Sequence, residues 1–219
     1  MNGRPLIDWG WIVDHLDDVG ERFVEHLTLT VIAVVIGLAI ALPLAVVAHR
    51  RPRLYGPLAG VSGFLYTIPS LALFAFLVPY TGLSTLTAEI GLVSYTLLIL
   101  IRNIVSGLHA VDGDVKEAAR GMGFSDRELL WKVEMPLALP AIVAGIRLAT
   151  VSTIALVTVT ALIGKGGFGY FIIQRGLRTQ FLTATLLGAA LSVGLALAAD
   201  GLLLLAQKRA TPWARPRAG

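Results

Sequence analysis

The longest uncharged runs along this 219-residue chain have the length that a membrane crossing requires. A helix needs about 20 apolar residues to cross the hydrocarbon core of a bilayer. Residues 27–48 carry no charge and are followed at once by His-Arg-Arg-Pro-Arg, which predicts a first membrane span. Residues 54–88 are also uncharged, but these 35 residues are too many for one helix. We therefore predict a second span at about 57–79, a turn around residues 80–84 and a third span at 85–108.

Two more apolar segments follow a charged stretch, and a different pattern precedes the first span. Residues 140–163 and 181–207 predict a fourth and a fifth span. Near the N-terminus, apolar residues recur at helical spacing with acidic residues on the other faces, which predicts an amphipathic helix within the extracytoplasmic segment 1–26. Residues 208–219 form a basic tail. The whole pattern predicts an all-α membrane protein, with about five transmembrane helices forming one domain over residues 27–207.

The composition agrees with a membrane protein and argues against several classes of function. Hydrophobic residues make up 56% of the chain and charged residues 15%, whereas soluble domains carry about a quarter charged residues. The chain has no cysteine, and its four histidines lack ligand spacing, so we expect no metal site. The sequence shows no cluster of a nucleophile with a base, so we expect no catalytic residue. The net charge is +4, and the basic residues lie mainly at span ends. This position favours contact with membrane lipid over nucleic-acid binding.

Lysines and arginines are distributed unevenly between the two sides that the predicted spans define. Thirteen of the 18 fall on the side that carries the stretch between the third and fourth spans, together with the C-terminal tail. The others are Arg4, Arg22, Lys165, Arg175 and Arg178. Cytoplasmic loops carry the excess of positive charge in membrane proteins. We therefore expect the N-terminus outside the cell and the C-terminus in the cytoplasm.

The stretch between the third and fourth spans, residues 112–136, is rich in charge and in helix-capping signals. Asp112 can cap a helix over residues 115–122, and Gly123 can adopt the left-handed backbone that ends it. Residues 125–128 have the Ser-x-x-Glu spacing of a capping box, which predicts a second short helix ending near Val133. Such a segment has to face water or another protein. A rigid helix-turn-helix is expected, and a merely solvated loop is the alternative.

Within this stretch, Glu117, Ala118 and Ala119 are followed after three residues by Gly123, and Pro136 ends a Val-Glu-Met-Pro segment. This motif and its spacing resemble the EAA loop of ABC importer permeases. The resemblance implies the type I importer permease fold, a multi-pass protein of the bacterial cell membrane, and a loop through which a cytoplasmic ABC ATPase dimer is coupled to transport. In the family, the small alanine pair lets the loop helix nest closely in the ATPase.

The resemblance also implies the partners of such a permease. ATP and Mg²⁺ would be bound by the partner ATPase, and no cofactor is expected in this chain, which has no G-x-x-x-x-G-K-[ST] motif. An extracytoplasmic solute-binding protein would deliver the substrate. A second permease subunit, either an identical copy or a paralogue, would complete the membrane channel. ATP hydrolysis would therefore reside in a separate subunit.

The similarity extends to three segments, Tyr66–Phe74, Arg102-Asn103 and residues 117–140. These segments resemble the osmoprotectant branch of these importers, which carries glycine betaine, choline, carnitine or proline betaine. Lys165 departs from that branch, which usually reads Gly-Ala-Gly-Gly-Leu-Gly at this point; it is expected to face water or the binding protein. We interpret the glycine run 164–169 as a tight turn. An ABC permease for another small solute such as an amino acid is one alternative, and an ion-gradient-driven secondary carrier is another.

Candidate residues for a translocation pathway cluster around a proline in the second predicted span. Pro69 cannot donate a backbone hydrogen bond and should kink the helix. Freed backbone groups line cavities in transporters, and Tyr66 and Ser70 lie nearby. Thr153 in the fourth span could hydrate a pathway or bond back to its own helix. We predict that these four residues line the pathway, with ordinary helix packing as the alternative.

Overall fold

Helices account for nearly all of the backbone that the structure describes. The computed structural model describes residues 7–214, and no strand occurs among them. Single turns of π or 3₁₀ helix cover Leu129–Glu134, Thr160–Ile163, Phe171–Leu177 and Pro212–Ala214. The α-helices are α1 (Trp9–Asp14), α2 (Leu16–Arg50), α3 (Pro52–Thr67), α4 (Ser70–Thr81), α5 (Thr85–His109), α6 (Gly113–Gly121), α7 (Asp126–Glu128), α8 (Met135–Val159) and α9 (Leu182–Ala210). The predicted all-α class is confirmed.

Within residues 7–214, four helical segments are long and apolar enough to cross a membrane. They are α2, α5, α9 and the continuous helix Asp126–Ile163 that contains α7 and α8. Helices α3 and α4 meet the same criterion as a pair, but they are bent by 92° relative to each other. The count is therefore four spans, or five when the bent pair crosses as one. The predicted number of about five agrees with this range.

The first span and the segment before it are parts of the same helix. The sequence predicts a boundary between residues 26 and 27, whereas α2 runs without a break from Leu16 to Arg50. The interruption comes earlier, at His15, whose backbone leaves the helical region between α1 and α2. Residues 1–6 of the predicted N-terminal segment lie outside the described residues. The helix is continuous here because no helix-ending residue separates the amphipathic turns from the apolar ones, and the start of the membrane-spanning part at residue 27 stays a prediction.

The second predicted span, 57–79, is broken rather than kinked. Helix α3 begins earlier than predicted, at Pro52, and ends at Thr67, while α4 begins at Ser70. Ile68 between them has extended backbone angles of φ −65° and ψ 125°. A residue that precedes proline is driven out of the helical region by contact with the proline ring. Pro69 therefore distorts the backbone at Ile68 as well as at its own position. The result is a corner of 92° in the chain.

The fourth span starts within the loop that precedes it. The sequence predicts that the second loop helix ends near Val133 and that the span begins at residue 140. In the structure the π-helical turn Leu129–Glu134 joins α7 directly to α8, so that the helix is continuous from Asp126. Pro136 lies directly after the junction between the π-helical turn and α8. The fifth helix also extends beyond its predicted end at 207, to Ala210.

Helix α5 is the central element of the bundle and contacts α2, α3, α4 and α8. Small residues permit the closest approaches. Gly37 of α2 lies directly against the Thr96 side chain, and Gly145 of α8 lies against Asn103, so a Cβ at either glycine would collide with its neighbour. Close approach at small residues is the usual way in which membrane helices associate. Helix α5 is thus tightly packed. It connects the loop 112–136 at its C-terminus with the turn between α4 and α5 at its N-terminus.

Candidate functional site

The first helix of the loop 112–136 is fixed at both ends by local hydrogen bonds. Asp112 caps α6, its Oδ1 accepting a hydrogen bond from the Asp114 N–H at 2.9 Å. At the other end Gly123 has φ +87°, and the Phe124 N–H donates to the Ala119 carbonyl at 3.2 Å. The left-handed conformation predicted for Gly123 is therefore confirmed. It reverses the chain without leaving the last carbonyls of α6 unpaired.

The second helix of the loop begins with the predicted capping box. The Glu128 N–H lies 3.4 Å from Ser125 Oγ, and the Ser125 N–H lies 3.1 Å from Glu128 Oε2. Lys132 Nζ, one turn further on, is 2.8 Å from Glu128 Oε1. This prediction is confirmed, and the capped α7 continues into the π-helical turn and α8. The second half of the loop and the fourth span are therefore parts of one continuous helix.

The predicted coupling residues do not all face the same way. Glu117, Ala118 and Gly123 are exposed, whereas Ala119 is buried within its own chain and 2% exposed. Ala119 therefore stabilises the loop internally, and only Ala118 of the alanine pair is open to another protein. Pro136 is half-buried at the start of α8. The sequence alone could not distinguish the two alanines, because the direction of α6 relative to the bundle depends on distant contacts.

Two exposed apolar residues that the sequence analysis did not select lie beside Ala118. Val115 is 41% exposed and Met122 is 71% exposed. Together with Ala118 they occupy positions i, i+3 and i+7 along α6 and the residue that follows it. Residues at this spacing lie on one side of a helix. We call Val115, Ala118 and Met122 the loop face. Their helical spacing was present in the sequence as a signal, although the surrounding charges concealed it.

A buried carboxylate connects the loop to two membrane helices. Glu134 Oε1 lies 3.2 Å from His49 Nε2 at the end of α2 and 3.3 Å from Lys116 Nζ of α6. Lys116 Nζ also donates to the Leu108 carbonyl near the end of α5, at 3.2 Å. Glu134 is only 6% exposed, so these partners compensate for the loss of water around its charge. Glu134 thus joins its own turn to α2 and α6, and Lys116 extends the connection to α5. The sequence offered no local signal for this role of Glu134.

All four predicted pathway residues line a single cavity of about 270 Å³. It lies at the corner between α3 and α4 and is closed by α5 and α8. Tyr66 and Pro69 are exposed, Ser70 is half-buried and Thr153 is buried. The corner created by Pro69 therefore brings residues of three separate helices together. The full lining consists of Tyr66, Thr67, Ile68, Pro69, Ser70, Tyr95, Thr96, Ile99, Ser152, Thr153 and Leu156.

The turn at the other end of the bundle contains the glycine run of the sequence. Gly164, Gly166 and Gly167 have φ of +80°, +143° and +48°, so the expected tight turn is confirmed. The Phe168 N–H donates to His26 Nδ1 at 3.3 Å, which holds the turn against α2. Lys165 in this turn is half-buried.

Helices α8 and α9 are joined by an ion pair. Arg147 Nε and Nη2 lie 2.9 Å and 2.8 Å from the two carboxylate oxygens of Asp200. Arg147 Nη1 also lies 3.2 Å from Gln207 Oε1. A bidentate pair satisfies both charges close to the membrane, so Arg147 and Asp200 have a structural role.

Apolar spanning helices, a capped loop before the fourth span and an uncharged cavity between helices together define a class, the membrane component of a transport system. The chain belongs to the family described as "Binding-protein-dependent transport system inner membrane component", whose model matches residues 33–211. It is therefore an integral inner-membrane protein and a transport permease component.

Similar proteins cover most of the chain. The carnitine transport permease protein OpuCB of Listeria monocytogenes is 41% identical over 148 residues, which are 68% of this chain and 68% of that protein. The choline transport system permease protein OpuBB of Bacillus subtilis is 36% identical over 189 residues, 86% of each chain. Among solved structures, the inward-facing MetNI methionine ABC transporter has a TM-score of 0.80 at 21% identity, covering 93% of this chain and 99% of that one. The last likeness shows a shared fold.

Proposed function

We propose that this chain is the membrane-spanning subunit of an ATP-driven importer for osmoprotectants of the glycine betaine, choline and carnitine type. The observation that carries the proposal is the similarity, over 86% of the chain, to a permease named for choline transport, together with similar proteins named for carnitine and glycine betaine. Substrate would cross through the cavity at the α3–α4 corner, where Tyr66, Pro69, Ser70 and Thr153 meet.

The loop 112–136 would lie in the cytoplasm and receive the ATPase dimer, with the N-terminus of the chain outside the cell. The loop face supports this proposal, because an exposed methionine and valine on a short capped helix suit burial against a partner. Glu117 and Gly123 lie on the exposed side of the same loop. ATP and Mg²⁺ would be bound and hydrolysed by the ATPase alone. Closure of the ATPase dimer would then move α8 through the continuous helix that begins at Asp126.

A solute-binding protein would dock at the opposite end of the bundle, near the turn that contains Lys165. A second permease subunit, identical or paralogous, would face the exposed side of the cavity. The open position of Tyr66, which is 43% exposed in the single chain, supports a pathway shared between two subunits. The remaining exposed apolar surface would contact membrane lipid.

The proposal is tested by reconstituting the chain in proteoliposomes with its ATPase and binding protein. Uptake of labelled choline and glycine betaine is measured with and without ATP inside the vesicles. We expect uptake that requires ATP, both partners and the intact chain. A matched control replaces the binding protein by one for an unrelated amino acid.

Two outcomes would contradict the proposal. Uptake by the chain alone, driven by an ion gradient without ATP, would make it a secondary carrier. ATP-dependent uptake of an amino acid but of no quaternary amine would retain the importer and replace the substrate class.

A further inference from the structure

The cavity at the α3–α4 corner has an aromatic wall made of two tyrosines from different helices. The rings of Tyr66 on α3 and Tyr95 on α5 have centroids 5.7 Å apart and planes inclined at 66°. The contact is edge-to-face, so the two rings pack on each other into one aromatic wall. Most of its open surface belongs to Tyr66. Tyr95 was not selected from the sequence, because it lies in the middle of an apolar helix, 29 residues from Tyr66.

A hydrogen bond holds the Tyr95 ring against the α3–α4 corner. The Tyr95 hydroxyl donates to the Ile68 carbonyl, in the extended segment between α3 and α4. Tyr95 is 9% exposed and is held by the bundle, whereas Tyr66 is 43% exposed and forms the open side. The same bond that satisfies a carbonyl freed by the helix break therefore orients one of the two rings. A preoriented aromatic site loses little side-chain entropy when it binds.

The three threonines that line the cavity present oxygen acceptors to it. The hydroxyls of Thr67, Thr96 and Thr153 each donate to a carbonyl of their own helix, at 2.8 Å in every case. Their protons are therefore engaged, and their oxygen lone pairs remain available. Of the described residues that line the cavity, none is charged. Such a wall favours a cation, and it lacks the fixed negative charge that would hold a cation tightly.

We propose, on the basis of the importer function proposed above, that Tyr66 and Tyr95 form a transient binding site for the trimethylammonium group of the substrate. A quaternary ammonium has no N–H to donate, so ion pairing through hydrogen bonds is closed to it, while aromatic faces bind it well. The surrounding hydroxyl oxygens add weak electrostatic attraction. The site makes the permease itself selective for quaternary amines, and its uncharged wall allows rapid release.

The binding step is tested on the purified full chain in nanodiscs of phosphatidylethanolamine and phosphatidylglycerol, which contain no choline headgroup. Saturation-transfer NMR detects the N-methyl protons of choline, and 3,3-dimethyl-1-butanol serves as its uncharged isostere of equal shape. We expect saturation transfer to choline to exceed that to the isostere severalfold, and we expect tetramethylammonium to compete. Equal signals from choline and the isostere would overturn the proposal, and this comparison needs no variant.

Variants then assign the site to the two rings. Tyr66→Leu and Tyr95→Leu should each weaken choline binding by about tenfold, whereas Tyr66→Phe retains the ring and should retain binding. Tyr80→Leu is the matched control, since Tyr80 is exposed and lies outside the cavity lining. Unchanged choline binding in both leucine variants would overturn the proposal.

Uptake by the complete importer separates this proposal from the one on which it rests. In proteoliposomes, Tyr66→Leu should lower kcat for choline uptake and leave KM unchanged, because the binding protein sets the apparent affinity. Normal uptake of choline by both leucine variants would overturn the aromatic site and leave the importer function intact. Absence of choline uptake by the wild type, with selective choline binding in nanodiscs, would instead overturn the importer function and support the site.

Discussion

Lys116 and Glu134 form an ion pair across the loop, with Lys116 Nζ 3.3 Å from Glu134 Oε1. Both side chains are largely shielded from solvent, with 18% and 8% of their surfaces exposed. The pair joins the first loop helix to the turn that leads into α8, and His49 attaches the same carboxylate to α2. The loop is therefore fastened directly to two spanning helices, and a force applied to α6 does not depend on a flexible linker.

Neutralising Glu134 should loosen this connection. Glu134→Gln keeps the shape of the side chain and removes the charge, leaving Lys116 without a buried counter-ion. We expect a loss of about 1–3 kcal/mol in the free energy of unfolding, measured by thermal denaturation in detergent. In the reconstituted importer, the ratio of substrate molecules transported to ATP hydrolysed should fall.

Glu128→Gln is the matched control for Glu134→Gln. Glu128 pairs with Lys132 on the exposed surface of the loop, with 44% and 61% of the side chains exposed. Exposed pairs are screened by water and contribute little, so the melting temperature should hardly change. Equal destabilisation by the two substitutions would contradict the role assigned to the buried carboxylate.

The loop face should determine the affinity for the ATPase. Met122→Asp places a charge at the most exposed apolar position of α6 and should weaken binding of the ATPase by about tenfold or more. Stability should not change, because Met122 is 71% exposed. Leu83→Asp, an equally exposed apolar position in the turn before α5, is the control and should bind the ATPase normally. Affinity is measured by titrating the ATPase onto the permease in nanodiscs.

How far the sequence could predict this molecule depended on the range of the interactions involved. The caps of α6 and α7 connect residues within five positions of each other, and these predictions were confirmed. The bounds of α5 followed closely from its apolar run. The contact between His49 and Glu134 joins residues 85 positions apart. No local pattern in the sequence predicts it. The same holds for the inward direction of Ala119 and for Tyr95.

The break at residues 68 and 69 shows the limit of local rules. Proline was correctly identified as the cause of a distortion, but a kinked helix and a corner of 92° have the same local sequence requirement. The choice between them depends on where the two halves pack, since α3 and α4 each contact α5. The four residues Tyr66, Pro69, Ser70 and Thr153 could therefore be selected from the sequence as neighbours of a distortion, while the cavity that they line could not be predicted.

Gly123 should be intolerant of a side chain for a backbone reason. Its φ of +87° is costly for any residue with a Cβ, and Gly123→Ala should lower the free energy of unfolding by about 1–2 kcal/mol. Gly121→Ala is the matched control, because Gly121 is helical and a Cβ there meets no atom within 4 Å. It should be neutral or stabilise by up to about 1 kcal/mol. Equal destabilisation in thermal denaturation would contradict the assignment of Gly123 as the helix-ending residue.

The packing of α2 against α5 should be sensitive to a single methyl group. A Cβ at Gly37 would collide with the Thr96 side chain, while a Cβ at Gly60 of α3 would meet open space. Gly37→Ala should therefore destabilise the bundle by about 1–3 kcal/mol, the usual cost of overpacking. Gly60→Ala should leave the melting temperature nearly unchanged. The double substitution Gly37→Ala with Thr96→Ala removes the Thr96 hydroxyl with which the new Cβ would collide, and it should recover part of the loss. If Gly37→Ala melted at the wild-type temperature, the two helices would have to lie further apart than the structure places them.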